Sequence, residues 1–356
     1  MQKKKLKVFV ALSGGVDSSV ASALLKKDGF DVIGVYMKCW TADDPLYKGC
    51  TSVDDERSAR LAAAHLEIPF YAWNFIKEYK KRVVKYMLDG YKYGITPNPD
   101  VMCNREIKFG LFFEKAMKLG ADFVATGHYA CLRQGFGGQA RIFQGIDKNK
   151  DQSYFLSSIK REVLPKVLFP IGEYTKPQVR ELAKKFRLPN ASRMQSKGIC
   201  FIGKVDFADF LKKHIVSKPG DIVDMKGKFL GKHDGLVFYT IGQRKGIKLS
   251  GGPYFVVRKD FKNNRLVVSK DENDLNAKEF LVQNINWFVE RPPQNSMKIK
   301  TKIRYRALSV SARLLPVDKD KKTYTLMFDK PQRAATPGQF AVFYKGEEML
   351  GGGVIQ

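Results

Sequence analysis

A Gly-rich turn between an apolar run and a helical pattern limits the possible folds of this chain more than any other segment. Residues 7–12 are mostly apolar, residues 13–19 are Ser-Gly-Gly-Val-Asp-Ser-Ser, and residues 18–27 repeat apolar side chains at helical spacing. Glycines permit positive φ and close approach of a ligand to the backbone. The free N–H groups of such a turn, together with those of a helix N-terminus, form a cradle for an anion. We therefore predict a strand, a phosphate-binding turn and a helix, in that order.

Strand and helix patterns keep alternating over the first 130 residues. Strands are predicted at residues 31–36, 69–74 and 122–126, and helices at residues 54–65, 79–91 and 107–119. Strands separated by helices form a parallel sheet that is covered on both faces. Such sheets bind ligands beyond the carboxyl ends of their strands, where the Gly-rich turn follows the first strand. The predicted fold class is α/β with a doubly wound parallel sheet.

The pattern changes twice after this α/β region. Short alternating strands with Gly, Asn and Asp turns, including a predicted strand at residues 236–241, begin near residue 219. A second change falls near residue 274, and later segments such as 297–305 and 323–328 are typical of a small antiparallel barrel. We predict three domains: a nucleotide-binding catalytic domain at 1–213, a small central β domain at 214–274 and an antiparallel β-barrel at 275–356.

The chemistry of the turn at residues 13–19 differs from that of a Walker loop. It lacks the Gly-Lys-Ser/Thr ending, so transfer of a γ-phosphate is not its expected reaction. Ser13, Ser18 and Ser19 add hydroxyl donors, and Asp17 either orients the turn or helps to hold Mg²⁺. The alternative is an ordinary strand-to-helix turn with a Ser or Asp cap. The agreement of strand, turn and helix favours nucleotide binding.

The charge of the chain predicts a polyanionic partner. Lys and Arg total 63 against 36 Asp and Glu, a formal net charge of +27. Nucleic acid is the commonest polyanion, although a lysine-rich solvated surface would give the same count. No stretch approaches the roughly 20 apolar residues of a membrane span, and the short N-terminal apolar run is too short for a signal peptide. We expect a soluble cytoplasmic protein with no membrane contact.

Five cysteines, an odd number at wide spacing, argue against a disulfide framework and against a structural zinc site. Cys103 follows the Pro97-Asn98-Pro99 segment and precedes the predicted helix at 107–119, a position that lowers a thiol pKa. Cys200 lies in a Gly-containing segment after Lys197. Either thiol is reactive or simply a small buried hydrophobic group. For Cys39 and Cys131, beside apolar strands, burial is the favoured interpretation.

Motifs along the whole chain carry a family resemblance. Residues 13–18 are similar to the Ser-Gly-Gly-x-Asp-Ser loop of the PP-loop ATP pyrophosphatases, which cleave ATP between the α- and β-phosphates. Further segments resemble motifs of the bacterial tRNA-specific 2-thiouridylases, in the same order: residues 98–103, 149–155, 198–203, 240–246, 304–306, 336–339 and 351–353. The Arg133–Gly138 turn, by contrast, resembles no functional motif of that family.

The resemblance implies a set of site residues. Those expected to bind ATP are Ala11, Leu12, Ser13, Gly14, Gly15, Val16, Asp17 and Ser18, with Met37 and Gly127 lining the same pocket. Those expected in catalysis are Cys103 as nucleophile, Cys200 as persulfide carrier and Asp100 as general acid/base. Those expected at the target base are Asn98, Pro99 and Asp100. Those expected to contact tRNA are His128, Lys150, Asp151, Gln152, Arg304, Tyr305 and Gln339, which makes the C-terminal barrel tRNA-contacting.

The family activity is ATP-dependent 2-thiolation of the wobble uridine of tRNA. It implies ATP with Mg²⁺ as cofactors, and tRNA and a persulfide sulfur donor protein, fed by a cysteine desulfurase, as partners. Local alternatives remain for some residues: Asp100 as a turn former, Asp151 as a helix cap, and the Arg304–Tyr305 pair as a solvated strand edge. Two other functions also remain, another adenylating PP-loop enzyme and an RNA-binding protein with a nucleotide-sensing loop.

Overall fold

The computed structural model describes residues 4–41, 51–134, 139–194, 207–317 and 323–356. The chain divides into two compact units. The first comprises Met1–Val83, Pro99–Val205 and Tyr344–Gly351, and the second comprises Val84–Asn98, Asp206–Phe343 and Gly352–Gln356.

Helices and strands alternate early in the chain, and strands dominate later. The α-helices are α1 (Val16–Lys27), α2 (Ser52–His65), α3 (Ile76–Tyr79), α4 (Lys85–Lys92), α5 (Pro99–Cys103), α6 (Phe113–Lys118), α7 (Lys176–Lys185) and α8 (Phe207–His214). Two π-helical segments, Lys80–Val84 and Asn104–Phe112, lie between α3 and α4 and between α5 and α6. The 3₁₀ turns are Ser153–Leu156, Arg161–Lys166, Leu236–Phe238 and Glu272–Leu275.

The strands are β1 (Lys7–Ala11), β2 (Asp31–Lys38), β3 (Phe70–Asn74), β4 (Phe123–Ala125), β5 (Ala130–Gln134), β6 (Ala140–Gln144), β7 (Val167–Leu168), β8 (Gly220–Val223), β9 (Phe229–His233), β10 (Phe255–Asp260), β11 (Arg265–Ser269), β12 (Asn276–Trp287), β13 (Met297–Lys302), β14 (Val310–Pro316), β15 (Thr323–Arg333), β16 (Phe340–Lys345) and β17 (Glu348–Ile355).

The first unit is built on a five-stranded parallel sheet in the order β3-β2-β1-β4-β7. Strand β1 is central, with Ala11 paired to Val35 of β2 and Val10 paired to Ala125 of β4. Its apolar side chains are buried because α1 and α7 pack on the same core cluster as the sheet. The predicted α/β class with a doubly wound sheet is confirmed.

The helix around Cys103 begins earlier than the sequence analysis predicted. Helix α5 starts at Pro99, so Cys103 is its last residue and not a residue that precedes a helix. Proline is favoured at the first helical position because its missing N–H would have no partner there. Pro99 therefore starts this helix, and the prediction that Cys103 lies at a helix N-terminus is wrong.

Strands β5 and β6 form an antiparallel hairpin, in which Cys131 pairs with Phe143 and Leu132 with Ile142. The turn at residues 135–138 lies outside the described residues. At the end of β6, the backbone N–H of Gln144 donates to Glu347 O at 2.9 Å, a contact within the first unit.

The second unit contains a four-stranded sheet in the order β10-β11-β8-β9, with a core that includes Ile222, Val256 and Leu266. The strand predicted at residues 236–241 is instead the 3₁₀ turn Leu236–Phe238. The N–H of Phe238 donates to Gly235 O, which closes a local turn and leaves the segment out of the sheet.

The remaining strands form the predicted barrel. Six strands follow the order β12-β15-β14-β13-β16-β17, and β12 also pairs with β17. This last pairing closes the sheet on itself, so both of its edges are used.

Among the described residues, the structure contains no helix with the length and apolar character needed to cross a membrane.

Candidate active site

The Gly-rich turn lies at the carboxyl end of the central strand of the first unit. The N–H of Leu12 still bonds Val35 O at 2.8 Å, and Gly15 is the N-cap of α1. The carbonyl of Gly15 accepts from Ser19 N, which begins the helical ladder. The N–H groups of the first helical turn have no intrahelical partner, so they form an anion cradle at this sheet edge.

The hydroxyl of Ser18 organises this cradle from inside. It accepts from the N–H of Ser13 at 3.1 Å and donates to Gly15 O at 3.1 Å. Ser13 is exposed, whereas Ser18 is buried. Of the predicted hydroxyl donors, Ser18 therefore shapes the turn and Ser13 faces solvent.

The carbonyl of Gly14 accepts three hydrogen bonds from outside the turn. The donors are Ser58 Oγ at 2.8 Å, Asn190 Nδ2 at 2.9 Å and Arg193 Nη1 at 3.1 Å. Gly14 has φ +79°, and a Cβ at this position would lie 2.2 Å from Asp55 O. Sequence reasoning missed these three side chains, because no local pattern links them to the turn.

The carboxylate of Asp17 is neutralised within the first unit. Its Oδ1 accepts from Lys176 Nζ at 2.5 Å and from Tyr129 Oη at 2.8 Å. The side chains of Lys176 and Asp17 are only 13% and 24% exposed. Burial, and then the negative charge of Asp17, raise the pKa of Tyr129. Asp17 therefore has the contacts of a residue that orients the turn.

In the parts of the chain that the structure describes, no group of three or more His, Cys, Asp or Glu side chains is placed to hold a metal ion. One carboxylate oxygen of Asp17, Oδ1, already accepts two hydrogen bonds. A Mg²⁺ ion that enters with ATP would take phosphate and water oxygens as its ligands, as Mg²⁺ commonly does.

Two other predicted ATP residues lie at the same sheet edge. Met37 is buried near the end of β2, two residues beyond Val35, the register partner of Ala11. Gly127 follows β4, and a Cβ there would lie 2.7 Å from the N of Ser18. The backbone at Gly127 thus approaches the N-terminus of α1 so closely that only glycine fits.

The two predicted sulfur-transfer cysteines differ in what the structure describes. Cys103 is fully buried at the end of α5. The next residue, Asn104, donates through Nδ2 to Asp100 O at 3.1 Å and to Phe155 O at 3.2 Å, which ties this helix to the Ser153–Leu156 turn. Cys200 lies outside the described residues.

The other two described cysteines, Cys39 and Cys131, are buried. Burial, and then the nearby Glu173 carboxylate, raise the pKa of Cys131 to about 11. The Cys131 thiol is therefore protonated at neutral pH, the form that is not the nucleophile.

His128 lies in a buried aromatic cluster. Its ring centroid is 6.0 Å from that of Phe109 and 5.9 Å from that of Phe169, and its Nδ1 lies 2.6 Å from Thr126 Oγ1. Burial, and then the charge of Lys108, lower the pKa of His128 well below its usual value. The ring is neutral at pH 7 and is largely hidden from solvent.

The segment at residues 150–152 has structural contacts in the first unit. Asp151 is buried, and its Oδ1 accepts from the N–H groups of Gly145 and Ser153, both at 3.1 Å. Gln152 accepts from the N–H of Tyr129 at 3.0 Å. Lys150 is half-buried. Asp151 thus bonds the first N–H of the Ser153–Leu156 turn, although the N-cap of that turn is Gln152. Contact of these residues with tRNA stays a prediction.

In the second unit, the structure brings together two residues to which the family resemblance assigns substrate contacts, Asn98 and Gln339. Asn98 Nδ2 donates to Gln339 Oε1 at 3.3 Å, and Gln339 Nε2 donates to Thr96 O at 2.8 Å and to Pro97 O at 3.4 Å. The N–H of Thr96 also donates to Pro337 O at 2.8 Å. We call residues 96–98 with Gln339 the Asn98 cluster.

Arg304 and Tyr305 lie in a turn after β13 and not on a strand edge. Arg304 is exposed, and the guanidinium of Arg306 lies 5.3 Å from the centre of the Tyr305 ring. Exposed Arg side chains beside a Tyr ring suit phosphate pairing and base stacking.

The fold and this turn define a class: a nucleotide-binding α/β enzyme with a Gly-rich turn at the carboxyl end of its first strand. Three protein-family models match successive segments of the chain. They are the tRNA methyl transferase HUP domain at residues 6–204, the tRNA methyl transferase PRC-barrel domain at residues 208–270 and the aminomethyltransferase β-barrel domain at residues 277–355.

Similarity to curated proteins identifies a family within this class. The chain is 46% identical to the tRNA-specific 2-thiouridylase MnmA of Bacillus cytotoxicus, over 98% of this chain and 94% of that protein. It is 44% identical to the MnmA of Alkaliphilus oremlandii, over 99% and 97%, and 46% identical to that of Levilactobacillus brevis, over 98% and 95%. The chain belongs to the tRNA-specific 2-thiouridylase family.

Proposed function

We propose that this protein uses ATP to activate the wobble uridine of tRNA and replaces the C2 oxygen of that base with sulfur. ATP use follows from membership of a PP-loop family. The observation that carries the proposal is the cradle at residues 13–18, held at the carboxyl end of β1 beside Gly127. A formal net charge of +27 suits a polyanionic substrate.

In the first step, the uridine O2 attacks the α-phosphate of ATP and pyrophosphate leaves, which makes the O2 part of an AMP leaving group. Uracil C2 is otherwise a poor electrophile, because its carbonyl oxygen departs as a poor leaving group. The N–H groups of residues 13–18 stabilise the charge on the departing pyrophosphate. Mg²⁺ enters with ATP and neutralises charge on the phosphates.

In the second step, Cys200 carries a persulfide received from a sulfur donor protein. The Cys103 thiolate attacks the inner sulfur, a Cys103–Cys200 disulfide forms, and hydrosulfide is released to attack C2 as AMP departs. This requires the two Cα atoms to come within about 7 Å. Because the Cys103 thiol is fully buried in the structure, it must become accessible for the reaction to occur.

The remaining predicted residues recognise the substrate. Asp100 acts as general acid/base at the target base, which Asn98 and Pro99 contact. An anticodon base must leave its stack to reach a catalytic pocket. The residues proposed to contact tRNA are His128, Lys150, Asp151, Gln152, Arg304, Tyr305 and Gln339. We place the reaction in the cytoplasm.

The direct test is incubation with tRNA, ATP, Mg²⁺ and a persulfide source, followed by mass spectrometry of the nucleosides. The wild type should form 2-thiouridine, and Cys103→Ser and Cys200→Ser should not. Cys131→Ala is the matched control, since that buried thiol has a raised pKa and no proposed role. Full thiolation by either serine variant would refute the two-cysteine scheme. Release of AMP without a thiolated product would favour another adenylating enzyme, and tight tRNA binding without AMP release would favour an RNA-binding protein.

A further inference from the structure

The carbonyl oxygen of Gly14 faces away from the anion cradle and into a group of donors. Ser58 of α2, and Asn190 and Arg193 from the turn after α7, donate to it at 2.8, 2.9 and 3.1 Å. A carbonyl oxygen has two lone pairs, so three donors saturate it. We call Ser58, Asn190 and Arg193 the Gly14 clamp.

These donors fix the direction of one peptide plane. In a trans peptide, the carbonyl of Gly14 and the N–H of Gly15 point to opposite sides. Two consecutive glycines impose few steric limits, so a Gly14–Gly15 peptide without the clamp would flip readily. With the carbonyl held by the clamp, the N–H of Gly15 points toward the exposed side of the turn, where its partner is Ser13 Oγ at 3.4 Å.

The clamp residues are themselves held in place. Arg193 Nη2 bonds Asp55 Oδ1 at 2.5 Å, and the other carboxylate oxygen of Asp55 accepts from Thr51 Oγ1 at 2.8 Å. Asn190 Nδ2 also donates to Ser19 Oγ at 2.9 Å. These contacts join α1, α2 and the turn that carries Asn190, so the direction of the Gly14 carbonyl depends on three separate elements.

We propose that Ser58, Asn190 and Arg193 are positioning residues for ATP cleavage, which keep the Gly15 N–H directed at the pyrophosphate. The inference rests on the proposed function and names the residues that orient the proposed ATP site. A flipped peptide would present the Gly14 oxygen to the phosphates and repel them. The Gly14 clamp thus supports binding of the pyrophosphate part of the nucleotide and does not affect the binding of AMP.

Ser58→Ala is the most informative change, because alanine is favourable within a helix and the fold should tolerate it. The binding of inorganic pyrophosphate and of AMP would be measured separately by calorimetry on the full chain. Loss of one neutral hydrogen bond predicts an increase of about threefold to tenfold in the pyrophosphate Kd, with the AMP Kd unchanged. Ser58→Thr keeps the hydroxyl and should restore wild-type pyrophosphate binding. Asn190→Asp, which replaces a donor by a carboxylate, should weaken pyrophosphate binding more than Ser58→Ala does.

Each outcome separates the inference from the function on which it rests. If wild-type protein binds neither ligand and forms no AMP, the proposed function fails. If wild-type protein binds both and Ser58→Ala binds pyrophosphate as tightly as wild type does, the clamp proposal is overturned. It is also overturned if Ser58→Ala loses AMP and pyrophosphate affinity equally, since that pattern indicates a general structural role.

Discussion

The Gly-rich turn of the first unit and the Asn98 cluster of the second unit use their hydrogen bonds in opposite ways. At the turn, surrounding side chains hold the carbonyl of Gly14 and the carboxylate of Asp17. The N–H groups of the first turn of α1 have no intrahelical partner and are available to a ligand, whereas the N–H of Gly15 must first leave Ser13 Oγ. In the Asn98 cluster, Asn98 donates to Gln339, and Gln339 donates to the backbone carbonyls of Thr96 and Pro97.

This difference separates a preorganised site from one that must rearrange. A phosphate can enter the cradle without breaking any bond of the clamp, so little energy is lost to reorganisation. A base that bonds to Asn98 or Gln339 must displace contacts already made. We therefore expect changes at the turn to affect ATP chemistry strongly, and changes at the Asn98 cluster to affect tRNA more mildly.

The largest effect is expected for Gly14→Ala. The added Cβ would lie 2.2 Å from Asp55 O, at a residue with φ +79°. Displacement of the turn should lower kcat/KM for AMP formation by about 100-fold or more. Gly29→Ala is the matched control, because Gly29 also has positive φ, at +86°, but nothing lies within 4 Å of its added Cβ. If kcat/KM for AMP formation falls equally in both variants, the loss comes from backbone strain and not from displacement of the turn.

Lys176→Met should have the next largest effect. It removes the partner of Asp17 at 2.5 Å and leaves a half-buried carboxylate beside the phosphate site. Repulsion and the unpaired charge should lower kcat/KM for ATP by about thirtyfold, or ~2 kcal/mol.

Lys184→Met is the control for Lys176→Met, since Lys184 lies on the same helix and forms an exposed pair with Glu181. Adding Asp17→Asn to Lys176→Met should recover part of the activity by removing the unpaired charge. No recovery would contradict this electrostatic account.

Gln339→Glu tests the Asn98 cluster. The change replaces the amide that donates to Thr96 O and Pro97 O by a carboxylate facing the same carbonyl oxygens. We expect kcat/KM for tRNA to fall about tenfold, with the Kd for ATP unchanged. In the control Gln332→Glu, the lost amide donates to Lys330 O and Pro331 O within β15. A matching loss of ATP affinity in Gln339→Glu would show that the two regions are not independent.

The smallest effect concerns pH and His128. Its pKa is lowered by burial in the fold, so below pH 6.5, its ordinary pKa, the unfolded chain binds a proton that the folded chain does not. Stability is therefore lost as pH falls from about 6.5, by at most ~1.4 kcal/mol per pH unit. Urea unfolding at pH 7 and pH 5.5 should show a weaker pH dependence for His128→Phe than for wild type. Equal slopes would contradict the neutral, buried state of His128.

Local sequence patterns predicted much of the first unit. Apolar strands, helical spacing and the Gly-rich turn all act over short stretches, so β1, α1 and β2 were found with bounds within a few residues. The closed barrel followed from alternating strands in the same way. The start of α5 was missed because Pro99 was taken to end a structure rather than to begin a helix.

Contacts between distant residues could not be predicted in this way. Asn190 and Arg193 meet Gly14 across 176 and 179 residues, and Asn98 meets Gln339 across 241. The family resemblance pointed to Asn98 and to Gln339 separately. Nothing in a single sequence shows that the two side chains are in contact. The Gly14 clamp had no sequence pattern of its own, because each member is an ordinary polar residue within a helix or turn.

The identity of the nucleotide products tests the central claim most directly. Wild-type protein would be incubated with tRNA, a persulfide source and ATP labelled at the α-phosphate, and the labelled products separated by chromatography. Cleavage at the cradle predicts labelled AMP, together with unlabelled pyrophosphate, in amounts that match the 2-thiouridine formed. Labelled ADP with inorganic phosphate would contradict the account, because the turn at residues 13–18 would then not be directing attack to the α-phosphate.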